Sequence, residues 1–140
     1  MLSQELRDAY ARTSYRICTG RGSIELRIGR PSPALDALLM QHGAHQWAFI
    51  TAHNPASVCL SPTENESRHE ALLHRLRRLK YATLPGVGVG DDGAWPGEQS
   101  VLVFDMGHVE AARIGQEFGQ HAVVIGHAGQ SPQLLFMEEE

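Results

Sequence analysis

The sequence predicts an α/β (or α+β) fold, a single domain with a mixed β-sheet, helices packed on it and βαβ crossover units. Three observations carry this. Strand-like and helix-like segments alternate along the chain, which favours crossover connections over hairpins alone. Two helices announce themselves by Ser-Pro starts, at Ser32-Pro33 and Ser61-Pro62. Between them QWAFIT, residues 46–51, is apolar on both faces, as a central strand must be.

In chain order, residues 3–12 suit a short N-terminal helix within 1–12. YRICT and SIELRIG read as two strands around the turn GRG, where Gly20 and Gly22 free the backbone. Ser32 then caps a helix that buries Leu35, Leu38 and Leu39 and ends at Gly43. QWAFIT follows it, and strand, helix, strand predicts a parallel crossover. SPTENESRHEALLHRLRRL is the strongest helix signal: Ser61 and Glu64 form a capping box, and Leu72, Leu76 and Leu79 make its core stripe. LPGVGVG and SVLVFDM read as strands joined by the loop DDGAWPGEQ. HVEAARIGQEFGQ is a last helix closed near Gly119, HAVVIG a strand and PQLLF an edge strand. Residues 137–140, ending in EEE, read as a flexible acidic tail.

Composition narrows the function classes. The 140 residues are enough for one ordinary core, and 42% hydrophobic content excludes wholesale disorder. A net charge of −4 argues against a nucleic-acid partner held by a broad basic surface. The longest apolar runs, WAFI and SVLVF, are far short of the roughly 20 residues of a membrane helix, so no membrane partner is expected. MLSQELRDAY lacks an apolar signal core, and the expected location is cytoplasmic. Cys18 and Cys59 form no recognisable disulfide framework.

The candidate site starts at FITAHNPAS, residues 49–57, where a buried strand turns polar and delivers Thr51, His53, Asn54 and Ser57 to one place. Ligands of open α/β sheets sit beyond the carboxyl ends of parallel strands, which is where a parallel QWAFIT would put this cluster. On the next helix, Asn65 continues the core stripe and Arg68 and His69 flank it, so the helix start faces something polar. A small anionic ligand would suit the free N–H groups there, with Arg68 as a bidentate partner. Capping alone explains Ser61 and Glu64. Asn54 also suits a turn before Pro55, and Arg68 can pair with Glu64 one turn earlier.

The loop residue Trp95 could cap the pocket, and Glu98 is the one candidate for acid/base catalysis. Against that, Trp95 could simply cover a sheet edge. Tyr15 and Arg27 lie on the first two strands, where alternation leaves their direction open. GVGDDG matches G-x-G-x-x-G at Gly88, Gly90 and Gly93, but a strand follows rather than a helix, so the match is discarded. His69 and His74 are five apart and no paired C-x-x-C occurs, so neither metal nor cofactor is expected. Cys59 and His53 lack an orienting third group. The arginines of RHEALLHRLRRLK suit the negative end of the helix dipole.

A set of short motifs spans residues 15–135: LRIG with Pro33 and Leu35, WAFITAHNP, the series Ser61, Asn65, Arg68, then Trp95, Glu98, Ser100, and FGQ-x-A at residues 118–122. Together they resemble a bacterial family known as domain of unknown function family 3293. The resemblance implies no catalytic residue or ligand, but adds Gln120 to the candidates. Two readings follow. In one, Thr51, Asn54, Asn65, Arg68 and Glu98 line one concave site for a small anionic metabolite, bound or transformed. In the other, the polar cluster is structural and the chain is a non-catalytic interaction or regulatory module, with a homodimer through an edge such as PQLLF as one form of it.

Overall fold

The computed structural model describes residues 2–90 and 97–137. The acidic end of the chain, residues 138–140, and Trp95 lie outside them. The elements run α1 (Gln4–Arg12), β1 (Ser14–Cys18), β2 (Ser23–Leu26), α2 (Pro33–Gln41), β3 (Gln46–Thr51), α3 (Pro62–Arg78), β4 (Thr83–Val89), β5 (Glu98–Phe104), α4 (His108–Glu117), β6 (Ala122–His127) and β7 (Gln133–Phe136), with a 3₁₀ turn at Pro55–Ser57.

The seven strands form one sheet in the order β2-β1-β4-β5-β3-β6-β7. β3 is central, as its apolar pattern requires, but it pairs antiparallel with both β5 and β6. Every other pairing is antiparallel too, so the fold is α+β. The expected parallel pairing fails for a topological reason. α3 connects β3 to β4 across β5, and α4 connects β5 to β6 across β3. Each crossover therefore joins strands that run the same way, with an opposed strand inserted between them. β3-α3-β4-β5-α4-β6 is a split β-α-β, ferredoxin-like unit, extended by the β1-β2 hairpin on one side and β7 on the other.

The sheet separates two cores. On one face Ala48, Ile50, Val101 and Val103 meet Leu72 and Leu76 of α3 and Ala111 and Ile114 of α4. On the other, Trp47, Phe49, Leu102 and Phe104 meet Tyr15, Leu26 and the α2 residues Leu35 and Leu39. Adjacent residues of β3 and β5 thus point to opposite cores, the alternation that strands impose. The sheet curls until its edges approach: the Gly29 amide, just after β2, donates to the Pro132 carbonyl before β7 at 3.0 Å. Two strand glycines admit aromatic rings on the curled face. A Cβ on Gly86 would lie 2.6 Å from Phe49 Cε2, and one on Gly126 would lie 2.5 Å from Trp47 Cζ2.

Helix starts follow the sequence closely. Ser3, Ser32 and Ser61 each accept a first-turn amide, and Ser61 and Glu64 complete the capping box. α1 differs from the other helices because it buries no residue fully. It is held by side chains: Tyr10 stacks edge-on against Phe136 at 6.1 Å, Arg7 lies over the same ring at 4.4 Å, and Arg27 donates to the Arg12 carbonyl at 2.7 Å. Among the described residues, no helix is long and apolar enough to cross a membrane.

Candidate functional site

A cavity of about 540 Å³ opens on the curled face, at the end of β3. Its walls come from α1 (Leu6, Ala9, Tyr10), from the strands (Tyr15, Phe49, Gly88, Val124, Leu134) and from the polar group Thr51, His53, Asn54, Ser57, Glu98, Ser100 and Gln120. β5 starts at Glu98, two residues earlier than its apolar run suggests. Glu98 therefore shares a face with Ser100, Leu102 and Phe104 and stands opposite Gly88 of β4.

Asn54 is the hub of the polar wall. Its Nδ2 donates to Glu98 Oε2 at 2.6 Å. Its Oδ1 accepts from the Leu60 amide at 3.0 Å and from Asn65 Nδ2 at 2.9 Å, and its own amide donates to Asn65 Oδ1 at 2.9 Å. The backbone here is left-handed at Asn54, Ala56 and Ser57, with φ of 46°, 52° and 62°. Asn tolerates that region, whereas Ala and Ser rarely occupy it. Contacts from outside the turn hold it: the Ala56 amide donates to Gly119 O at 2.7 Å, and Gln120 Nε2 donates to His53 O at 3.0 Å.

The sequence candidates therefore divide. Thr51, Asn54, Glu98 and Gln120 meet in the cavity wall. Asn65 does not line it; it is buried behind Asn54 and clamps the turn. Arg68 does not line it either. α3 packs on the face opposite Glu98, and the Arg68 guanidinium donates through Nε to Ala52 O at 2.7 Å and through a terminal nitrogen to Phe118 O. Its charge serves two backbone carbonyls, where an anion was expected. The start of α3 is likewise taken, because Glu64 already supplies a carboxylate to the Ser61 amide. Arg27 falls just past the end of β2, where it pairs with Glu25 and holds α1, and it is not part of the wall.

Electrostatics single out Glu98. Burial pushes its carboxyl above the usual range, opposed by the Asn54 hydrogen bond and by the charge of His53. Burial lowers the imidazole pKa of His53 and of His69, whose rings meet edge to face at 6.1 Å. Among the described residues, His53 Nε2 and His69 Nδ1 are buried without hydrogen-bond partners. Tyr10 is raised by burial and engaged by the Ser57 hydroxyl. Tyr15 is pushed above its ordinary value by burial, and its hydroxyl donates to Tyr10 O at 2.7 Å.

The sequence reading passed over Leu6, Ala9 and Tyr10. Their spacing on α1 is amphipathic, which signals a covered apolar face but not whether core or cavity lies beneath. Both cysteines are free and exposed. Among the described residues no three His, Cys, Asp or Glu side chains cluster for a metal ion.

A family described as "Protein of unknown function (DUF3293)" matches residues 50–123, more than half of the chain. The chain belongs to that family. The matched region runs from the end of β3 to the start of β6 and includes Asn54, Asn65, Arg68, Glu98 and Gln120; LRIG, Pro33 and Leu35 fall before it. No curated protein matches the chain. No solved structure matches it either.

Proposed function

We propose that the chain is a cytoplasmic small-molecule protein that takes its ligand into the cavity at the end of β3. Glu98 is the group there suited to exchanging a proton with the ligand. The observation that carries this is the Asn54–Glu98 pair, 2.6 Å apart in the wall of a cavity of about 540 Å³. That volume falls within the range of ordinary ligand pockets, and a mostly apolar lining with a few convergent polar groups is their usual character. A carboxyl with a raised pKa in a cleft is also the common state of a general acid or base. The strained turn at Asn54, Ala56 and Ser57 adds support, since backbone strain concentrates at functional sites.

The test is a thermal-shift screen of a metabolite library against wild type and Gly88→Leu. A Cβ on Gly88 would meet nothing closer than 3.9 Å, so a larger side chain enters the cavity rather than the packed sheet. Compounds that stabilise wild type and leave Gly88→Leu unmoved support the reading. Equal shifts in both proteins, or none in wild type, refute it.

A further inference from the structure

We infer that the cavity's ligand is a small aromatic or aliphatic molecule carrying an ammonium or other strong N–H donor, and that this donor is received by Glu98. The inference rests on the cavity being a ligand site and names the class of molecule that fits it. It follows from an inventory of the polar hydrogens in the wall.

Most of them are already spent inside the protein. The Thr51 hydroxyl donates to Gln99 O at 2.7 Å, the Ser100 hydroxyl to Glu98 O at 3.0 Å and the Tyr15 hydroxyl to Tyr10 O at 2.7 Å. The Gln120 amide donates to His53 O at 3.0 Å and to Phe118 O at 3.4 Å. Glu98 is the opposite case. Its Oε2 takes Asn54, while no other hydrogen bond reaches its side-chain oxygens from the described residues. Among the described residues no arginine or lysine pairs with it, and the positive influence on it comes from His53. Arg12, the single arginine or lysine in the wall, sits on an exposed turn of α1.

A half-buried carboxylate with one neutral hydrogen-bond donor and no cation paired to it is electrostatically incomplete, because taking a charge partly out of water is costly unless a counter-charge replaces the solvent. A ligand ammonium would supply both the missing charge and a short charge-assisted hydrogen bond. A ligand carboxylate or phosphate would add like charge beside Glu98. The rest of the wall suits an apolar body, since Tyr15 and Phe49 meet edge to face at 5.7 Å and Leu134 and Val124 lie on the same face. The apolar side of α1, which buries no residue fully, closes over that body.

Three probes of matched size separate the possibilities: phenethylamine, 2-phenylethanol and phenylacetate, titrated into wild type and Glu98→Gln by NMR. The expected result is that the amine shifts Tyr15, Thr51 and Leu134 resonances and binds wild type about tenfold tighter than the acid. The alcohol should fall between them. Glu98→Gln keeps an acceptor for Asn54 and should reduce the amine's advantage to about twofold or less. The wild-type ranking alone decides the matter if the variant does not fold. Phenylacetate binding the same resonances as tightly as the amine overturns the ligand class and leaves the cavity reading standing. Silence from all three probes also overturns the ligand class, and the Gly88→Leu screen then judges the cavity on its own.

Discussion

Two glycines on β4 offer a direct measurement of where the protein is solid and where it is hollow. Gly86 and Gly88 are two residues apart and face the same side of the sheet, opposite Ser100 and Glu98. A methyl on Gly86 would lie 2.6 Å from Phe49 Cε2 and 2.7 Å from the Arg16 carbonyl. The ring is buried and the carbonyl belongs to the paired strand β1, so neither can move freely. Overpacking of this kind costs about 2–3 kcal/mol. A methyl on Gly88 would stop at 3.9 Å from Ser100 Oγ and Thr13 Cγ2. With no clash, the restricted unfolded chain should stabilise the variant by about 0.5 kcal/mol.

The two substitutions should therefore differ by about 3 kcal/mol. In a domain of this size that separates the melting temperatures by roughly 9 °C. Urea denaturation followed by far-UV circular dichroism measures the same gap as a shift in midpoint at constant slope. If Gly88→Ala loses as much stability as Gly86→Ala, matter fills the space in front of Gly88. The cavity, and everything proposed for it, would then be wrong.

Three further predictions separate scaffold from site. Arg68→Ala should cost about 2–4 kcal/mol in chemical denaturation, because the Ala52 and Phe118 carbonyls lose their donor, and Arg68→Lys should recover little of it. A neutral Arg68→Ala would show that the guanidinium is spare. Glu98→Gln should be neutral or stabilise the fold by about 1 kcal/mol at pH 7. Its advantage should fade as pH drops toward 4.5: the raised carboxyl pKa means the folded state prefers the protonated acid, so wild type is most stable below the unfolded pKa and loses stability as pH rises through the folded one. A loss in Glu98→Gln that is constant across pH would contradict this.

The histidines carry the reverse sign. Their lowered folded pKa values make protonation destabilising, so wild type should lose stability as pH falls below 6.5, and His69→Gln should flatten that slope in pH-dependent urea melts. An unchanged slope would assign the acid sensitivity to other groups.

The sequence was most legible where the chemistry is local. Ser32 and Ser61 each accept an amide three residues on, so the helix starts could be read from residue types at fixed spacing. Strand alternation gave the two faces of β3, but pairing partners are a long-range property. Nothing in the sequence says that α3 passes over one strand and α4 over another, so direct parallel pairing was the natural inference, whereas the crossovers join parallel strands with an opposed strand between them. Arg68 illustrates the same limit. Its place beside the helix stripe correctly implied a polar neighbour, yet backbone carbonyls satisfy a guanidinium as well as an anion does. Asn54 and Glu98 are 44 positions apart and both stood out as polar residues at ends of apolar runs, and they meet in the folded chain. Tyr10 could not be assigned to that place, because a helix face looks the same above a core and above a void.

The curl of the sheet has a consequence for how the protein behaves in a crowd. Its outermost strands, β2 and β7, are four residues each. The Gly29–Pro132 hydrogen bond turns their ends toward one another. An outer strand this short offers few vacant amides and carbonyls to a passing chain. The longer and more hydrophobic strands β3 and β5 have partners on both sides. Self-templated strand addition, the route from a native sheet to a fibre, therefore has little to start from while the fold is intact. Conditions that loosen the sheet's outer hairpin, and not concentration alone, should govern when this chain aggregates.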